Sequence, residues 1–451
     1  MTFASFKIPD LTFKELSSGR SGGATILQLQ AALYSKNILL FRAILSSAIS
    51  TGHPQASSVR KAYDLLSEIQ RQDPASVRRV LTHPAVSVWL CETSRSLNTG
   101  NFFAGRCEPE RALALAAAGA VRAGFDCSID MITDDGTVTL PSLGRATLNA
   151  RPESRFRVRM HVDRRKAQVR GGHRTVTLPS DLHTDTPGWQ GLRLLRATTH
   201  GKRLELLLDD LDDYRLPGVS KMDRLGEAAC ARLQLSLADA WRILVRDHHE
   251  TAAAIGGMIK VLTPLKASSG SQLSATFSQA LGCTALTIPD DGLTMAVTLV
   301  HELQHTKLYS LTDIVVLTED NPTNLYYAPW RDDPRPLDAL LQGSYAHLGL
   351  TSFWWQRRRY TFGEERLRAD IEFARWRSAS LTATSVLLES GGLTPAGVAF
   401  ASHMHATLSA YDNEPVPPCA LTAAQDLIMD HRARWETSHG RTQSQRSTES
   451  T

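Results

Sequence analysis

The chain has 451 residues, of which 42% are hydrophobic and 21% are charged, and its formal net charge is +4 at neutral pH. This composition belongs to an ordinary folded protein with a substantial core, divided into two or three subdomains, and not to a disordered chain. The small excess of basic residues is scattered among acidic ones, so the charge does not indicate a nucleic-acid partner.

The amino terminus gives no sign of export or membrane attachment. Residues 1–16 lack a basic start followed by a continuous apolar stretch. No later segment approaches the roughly 20 uncharged apolar residues that a membrane-spanning helix needs. We therefore expect a cytoplasmic protein with no membrane partner.

Residues 1–125 are predicted to form a helical amino-terminal region. Apolar residues recur at helical spacing in residues 24–48 and 58–70, whereas residues 84–103 have no clear period. Residues 126–215 have a different character, because short alternating runs are separated by Pro and Gly turns. We predict an antiparallel β-rich insert there, which either docks a peptide or has a purely structural role.

Residues 216–435 are predicted to form a second helical region, which carries the metal site and the catalysis. Two short strands, 258–265 and 283–288, precede an apolar helical run over residues 294–316. The polar segment 436–451 predicts a disordered tail. The predicted fold class is α+β, mainly helical, with a metal-bearing helix in the core and a β-rich insert.

The apolar run contains the sequence HELQH at residues 301–305, a motif of the form HExxH. Residues four apart share one face of an α-helix, so His301 and His305 can reach a single ion while Glu302 projects beside it. We predict that these histidines bind a metal, that Glu302 is catalytic, and that Gln304 forms hydrogen bonds around the ligands. The alternative is a pair of ordinary core histidines.

Two imidazoles hold a divalent ion incompletely, so a third protein ligand is expected. His347 is the leading candidate because it follows residues 337–346, an amphipathic helix that can pack against the first one and aim an imidazole back at it. A carboxylate such as Asp338 or Glu319 is the alternative. The candidates downstream of the motif are Asp313, Glu319, Asp320, Asp332, Asp333, Asp338 and His347.

Residues 326–336 (YYAPWRDDPRP) combine aromatic residues, prolines and two arginines just before that helix. The prolines limit backbone freedom, so such a loop can position side chains with little ordering entropy left to lose. Arg331 and Arg335 carry planar guanidinium groups that match a carboxylate. Either they bind a carboxylate ligand or they form ion pairs with neighbouring aspartates, and both interpretations remain open.

Three segments, LVHELQHTKL, YYAPWRDDPRP and LLQGSYAH, carry a resemblance to a known family. They resemble the HExxH proteins encoded beside ribosomally made, post-translationally modified peptides, which are understood as iron(II)- and α-ketoglutarate-dependent peptide β-hydroxylases. The likeness is strongest over residues 270–360. It implies that His301, His305 and His347 are the metal ligands. It also implies that Arg331 or Arg335 receives the distal carboxylate of the cosubstrate.

The resemblance further implies Fe(II) as the metal, α-ketoglutarate and O2 as cosubstrates, and a ribosomally synthesised precursor peptide as substrate. Three protein ligands on one face leave three positions of an octahedral ion, two for the keto acid and one for O2. The expected reaction converts α-ketoglutarate to succinate and hydroxylates a peptide β-carbon. Glu302 is then expected to orient a ligand or the peptide through hydrogen bonds.

A zinc-dependent metallopeptidase is the main alternative, in which Glu302 takes a proton from a zinc-bound water that attacks an amide. The chain lacks the longer HExxHxxGxxH pattern, and no Glu stands out as a third ligand, which disfavours this alternative. In either enzyme, strand 283–288 could pair with a bound peptide. A scaffold in which the metal only joins two helices is a further alternative.

Overall fold

The structure, a computed structural model, describes residues 7–99, 108–148, 156–164, 166–218, 223–266, 272–319 and 324–446. Helices make up 57% of it and strands 17%, in several small sheets. These proportions confirm the predicted α+β, mainly helical class. Within the described ranges, no helix is both long and apolar enough to cross a membrane.

Helices lie at both ends of the chain and flank most of the strands. The helices before the first strand are α1 (Asp10–Ser17), α2 (Gly23–Ser50), α3 (Ala56–Gln72), α4 (Pro74–Leu81), α5 (Pro84–Thr99) and α6 (Ala112–Ala123). The later helices are α7 (Glu227–Asp247), α8 (His249–Met258), α9 (Gly292–Thr312), α10 (Leu337–Arg357), α11 (Gly363–Glu389), α12 (Pro395–Ser409) and α13 (Pro418–Arg446).

Helix α5 lies where the sequence showed no clear period. Val88, Trp89 and Leu90 are all fully buried in it. Residues 84–90 of this helix are buried on every side and have no polar face, so no amphipathic period marks this part in the sequence.

The strands are short and form four sheets. They are β1 (Cys127–Thr133), β2 (Thr137–Leu140), β3 (Gly144–Thr147), β4 (Phe156–Asp163), β5 (Lys166–Gly171), β6 (Arg174–Thr177), β7 (Trp189–Gly191), β8 (Arg193–Thr199), β9 (Lys202–Leu208), β10 (Val261–Pro264), β11 (Ser274–Ala275), β12 (Cys283–Leu286), β13 (Leu325–Tyr326) and β14 (Arg335–Pro336). The orders are β1-β4-β5-β6, β2-β3-β7, β11-β12-β10-β9-β8 and β13-β14.

The predicted β-rich insert is only partly separate from the region that follows it. Strands β1 to β7 form two antiparallel sheets of their own, but β8 and β9 belong to the five-stranded sheet that also contains β10 and β12. Strand β9 pairs with β10 in parallel, so that Leu207 is opposite Val261. Strands β8 and β9 of the predicted insert therefore belong to a sheet that continues beyond the expected boundary at residue 215.

Two hydrophobic cores hold these elements together. One contains the buried side chains of α3 to α6 and of the two small antiparallel sheets. The other is formed largely by α7 to α12 and includes Leu299 and Leu303 of α9 and Tyr345 and Leu348 of α10. Helix α10 packs against both α9 and α11. The predicted metal ligands therefore lie on helices that are fixed by the second core.

Helix α13 ends at Arg446, beyond position 436, where the polar tail was expected to begin. A helix that has already nucleated can continue through polar residues, since Gln, Arg and Ser have at worst modest unfavourable helix propensities. Residues 447–451 of the expected tail lie outside the described residues.

Candidate metal centre

Helix α9 carries the HExxH motif and begins close to the predicted position. Asp291 is its N-cap: the Thr294 backbone N–H donates to its carboxylate at 2.7 Å. A carboxylate at this position satisfies an otherwise unpaired N–H and interacts favourably with the helix dipole. The helix ends at Thr312, and the next residue, Asp313, forms an ion pair with Lys36 at 2.7 Å. Asp313 is thus engaged at the surface, away from any ligand role.

The structure brings the three predicted histidines together. The Nε2 atoms of His301 and His305 are 3.1 Å apart, and the centroids of their rings are 4.7 Å apart. The ring of His347, from α10, lies 5.3 Å from that of His301. Three imidazoles from two helices therefore form one cluster. The sequence predicted this from the four-residue spacing of His301 and His305 and from the helix that carries His347.

The spacing of the first two nitrogens fits a shared ion. Two nitrogens that each lie about 2.1 Å from one ion are separated by roughly 3.0 Å in octahedral and roughly 3.4 Å in tetrahedral geometry. The separation of 3.1 Å between His301 and His305 meets this condition. No group of three or more His, Cys, Asp or Glu in the described ranges forms a complete metal-holding set. The centre is thus a pair of nitrogens at ligand spacing with a third imidazole beside it.

Hydrogen bonds at Nδ1 orient two of the three rings. His347 Nδ1 lies 2.8 Å from the Gly343 carbonyl oxygen, and His305 Nδ1 lies 3.2 Å from Gln342 Oε1. An imidazole that donates from Nδ1 keeps the lone pair of Nε2 free for a metal. Sequence reasoning missed Gln342, since nothing in its local pattern distinguishes it from an ordinary polar residue of a helix.

Two of the three rings, those of His301 and His347, are held in the form that binds metals. Burial lowers the pKa of His347 to about 3. Burial, together with the neighbouring His305 and His347, also lowers the pKa of His301 well below its ordinary value. Neutral imidazole is the ligand form of histidine. His301 and His305 are half-buried, so part of the surface of these two residues is exposed.

Two tryptophans cover the other side of the cluster. Trp330 stacks on His347 with a centroid distance of 4.2 Å and an interplanar angle of 15°, and Trp376 lies 4.6 Å from the same ring. Trp330 belongs to the proline-rich loop, which β13 and β14 close at its base. The loop therefore reaches the site, but through an aromatic ring that the sequence did not single out.

The two loop arginines bind a neighbouring aspartate. Arg331 Nε donates to Asp333 Oδ1 at 2.7 Å, and Arg335 donates to Asp333 Oδ2 at 3.0 Å. The hydrogen bond from Arg331 is the main reason that the pKa of Asp333 is lowered to about 2. Both guanidinium groups stay partly exposed, at 54% and 35%. Of the two open interpretations, the structure contains the ion pairs.

Glu302 is buried, with 1% of its surface exposed. Ser274 Oγ donates to one of its carboxylate oxygens at 2.6 Å, and Thr276 Oγ1 donates to the other at 2.6 Å. Ser274 lies in β11 and Thr276 follows it, so the motif carboxylate joins the metal helix to an edge of the five-stranded sheet. Sequence reasoning did not identify these two hydroxyls as partners.

Gln304 of the motif, together with Lys307 of α9 and Tyr345 of α10, faces away from the predicted metal ligands. Gln304 Nε2 donates to the Gly19 carbonyl at 3.2 Å, and Lys307 Nζ donates to the same oxygen at 2.6 Å. The Tyr345 hydroxyl donates to the Leu16 carbonyl at 2.6 Å. Burial lowers the pKa of Lys307 to about 7. The amide that contacts a ligand histidine is thus Gln342, not the predicted Gln304.

No ring contact or hydrogen bond joins the alternative third ligands to the three histidines among the described residues. Asp332 is 3.8 Å from His431, and the Glu319 N–H donates to the Gly392 carbonyl. Asp338 lies in the first turn of α10, and Asp320 lies outside the described residues. Of the candidates within the described ranges, His347 is the one in ring contact with the HExxH pair.

Strand β12, predicted within residues 283–288 as a possible partner of a bound peptide, has an edge that is already half covered: β11 pairs with Ala285 and Leu286. It already pairs with β10 on one side and with β11 on the other. In the described part of this sheet, β11 is the terminal strand. The sequence could not show this, because a two-residue strand has no pattern of its own.

Comparison with known proteins gives no family model and no curated protein that matches the sequence. The resemblance carried by the three motifs therefore stays a prediction, and the geometry of the site has to support any functional conclusion.

Adding a methyl group at Gly343 tests the role of Trp330. A Cβ at this position would lie 2.5 Å from Trp330 Nε1 and 2.7 Å from its Cε2, so the ring must move off His347. We expect Gly343→Ala to weaken Co(II) or Fe(II) binding by about 10- to 100-fold, the usual range when groups supporting a metal ligand are disturbed. The measurement is a metal titration followed by absorption spectroscopy.

Gly256→Ala is the matched control, because a Cβ there meets nothing closer than Leu204 at 4.0 Å. Unchanged metal affinity in Gly343→Ala, with a thermal unfolding curve like that of the control, would show that Trp330 does not support the site.

Proposed function

We propose that this protein is an Fe(II)- and α-ketoglutarate-dependent oxygenase that hydroxylates the β-carbon of a residue in a ribosomally synthesised precursor peptide. The observation that supports it most is the 3.1 Å spacing of the His301 and His305 nitrogens with the His347 ring beside them. A shell of three imidazoles without a carboxylate leaves open positions for a keto acid and dioxygen.

In this proposal the chain's own residues hold and shield the reaction. His301, His305 and His347 would hold the metal, and the half-buried side of the first two would admit the peptide. Trp330 and Trp376 cover His347 and exclude water from that side. When bound, iron with the keto acid and dioxygen would supply the chemistry that hydroxylates an unactivated carbon and releases succinate and carbon dioxide.

The surroundings of Glu302 favour the oxygenase over the zinc metallopeptidase. A peptidase base must accept a proton from the attacking water, at hydrogen-bond distance. Both oxygens of Glu302 already accept hydrogen bonds, from Ser274 and Thr276. Such a carboxylate is suited to holding the metal helix against the sheet, which is a positioning role.

The direct test is an assay of the full chain with Fe(II), α-ketoglutarate, O2 and the precursor peptide encoded beside the gene. The proposal expects succinate and a peptide that has gained one oxygen atom, in equal amounts. Cleavage of the peptide by the zinc-loaded protein would instead support the metallopeptidase. If neither product forms although the protein binds stoichiometric metal, the result would support the scaffold.

Glu302→Gln separates the two enzymes. The amide keeps the size of the side chain and can still form hydrogen bonds with both hydroxyls. We expect hydroxylation to fall by less than about 10-fold, whereas loss of a general base lowers a rate by roughly 10²- to 10⁴-fold. The measurement is the initial rate of succinate formation with Fe(II), and of peptide cleavage with zinc. Thr276→Val is the matched control, because it removes one of the hydroxyls and leaves the carboxylate.

A further inference from the structure

A cavity of about 770 Å³ lies beside α9 and α10, on the side that faces away from the histidine cluster. Lys307 lines it and lies about 200° around α9 from His305, at 100° per residue. Gly349 also lines it and lies about 200° around α10 from His347. Helices α9 and α10 thus form a wall with the histidine cluster on one face and this cavity on the other.

Lys307 is the unusual residue of this cavity. Its side chain is 1% exposed, and Nζ donates one hydrogen bond, to the Gly19 carbonyl. The ring of Tyr345 lies 5.5 Å from the same nitrogen. Throughout the described ranges, no carboxylate forms an ion pair with Lys307. Glu250 interacts with Lys307 electrostatically but without direct contact. A buried lysine outside a direct ion pair is costly, so a group that accepts its remaining N–H bonds would be favourable there.

Two further buried atoms in the cavity wall lack partners. Gln304 is 4% exposed, and its Oε1 has no hydrogen-bond partner among the described residues. His248 is 7% exposed, and its Nε2 is likewise without a partner in the described ranges. The His248 ring stacks on Phe353 at a centroid distance of 4.3 Å. Gln304, His248 and Lys307 all line the same cavity.

The rest of the lining limits what can bind. Val300, Leu303 and Phe353 give the cavity an apolar side. Asp247 and Glu250 also line it; they are paired with arginines but disfavour a dianion such as phosphate. The ligand that fits carries a single carboxylate, an apolar part and a hydrogen-bond donor.

We propose that this cavity binds an α-hydroxy or α-amino acid with an apolar side chain. The carboxylate accepts from Lys307 Nζ, the hydroxyl or amino group donates to Gln304 Oε1, and the apolar side chain packs against Phe353. The site does not share its ligand contacts with the histidine cluster, so the proposal does not depend on the oxygenase function.

The test is isothermal titration calorimetry of the full, EDTA-treated chain with L-phenylalanine and L-3-phenyllactate. 3-Phenylpropionate lacks the donor, and L-phenylalanine amide lacks the carboxylate. We expect one of the first two compounds to bind with a Kd below about 1 mM. We expect both of the truncated compounds to bind at least 10-fold more weakly. Removal of the metal ensures that no carboxylate binds at the histidine cluster.

Two variants locate the binding. Lys307→Met removes the buried donor, and Ala410→Trp fills the exposed mouth of the cavity without touching the core. Each should weaken binding at least 10-fold, while Ala433→Trp, on an exposed part of α13, leaves it unchanged. If Lys307→Met does not fold, Ala410→Trp carries the test. Absence of binding by both acids, or binding that neither folded variant weakens, overturns the proposal, as does binding of inorganic phosphate alone.

Discussion

The His347→Ala protein should contain no stoichiometric iron and should form no hydroxylated peptide. Removing this imidazole leaves two nitrogens, at His301 and His305, that cannot hold a divalent ion against solvent. We expect the metal affinity to fall by more than about 100-fold, because even the supporting residues of a metal site contribute roughly 10- to 100-fold. The measurement is the iron content after anaerobic loading and desalting, followed by the peptide assay.

The substitution also removes a ring that Trp330 and Trp376 contact, so the fold has to be checked by circular dichroism and thermal unfolding. His301→Ala removes a half-buried ligand with less disturbance of the core and should lose iron equally. His173→Ala is the matched control, because this histidine is exposed in the turn between β5 and β6. Full iron content in both ligand variants would sink the proposed metal centre.

Gly397→Ala should be the most destabilising small substitution in the metal-bearing half. A Cβ at this position in α12 would lie 2.8 Å from the Leu317 carbonyl carbon and well inside contact distance of its oxygen. That oxygen accepts a hydrogen bond from the Thr394 N–H, so the backbone there is already fixed. We expect a loss of about 3 kcal/mol in the free energy of unfolding and a melting temperature lower by roughly 3 °C.

The comparison protein is Gly256→Ala, which makes the same substitution inside α8 where a Cβ has room. An alanine in a helix interior is favoured over glycine by roughly 0.5–1 kcal/mol, so this variant should melt at or above the temperature of the parent protein. Equal melting temperatures for the two variants would contradict the close approach of α12 to Leu317.

What the sequence predicted well depends on local geometry. The HExxH helix follows from residues four apart sharing a face, and its start follows from the Asp291 cap. The placement of His347 beside the pair needed only one further helix that packs on the first. The β-rich character of residues 126–215 followed from alternation along each strand.

What the sequence could not give depends on contacts between distant segments. Ser274 and Glu302 are 28 residues apart, and no periodicity links a hydroxyl before one helix to a carboxylate within it. The pairing of β9 with β10 in parallel joins two regions that the sequence separated at position 215. The sequence also does not show which group an arginine binds. Arg331 and Arg335 could equally have faced a ligand, but Asp333 between them binds both.

The backbone carbonyl groups of Leu16 and Gly19 connect the first residues of the described chain to α9 and α10. Tyr345 donates to the Leu16 carbonyl, and Gln304 and Lys307 donate to the Gly19 carbonyl. Helices α9 and α10 are therefore both hydrogen-bonded to the same short segment. A shortened protein that starts at Gly23 would leave three interior donors of α9 and α10 without acceptors. The half of the chain that carries the histidine cluster is therefore not an autonomous module, and removing residues 7–22 would loosen α9 and α10.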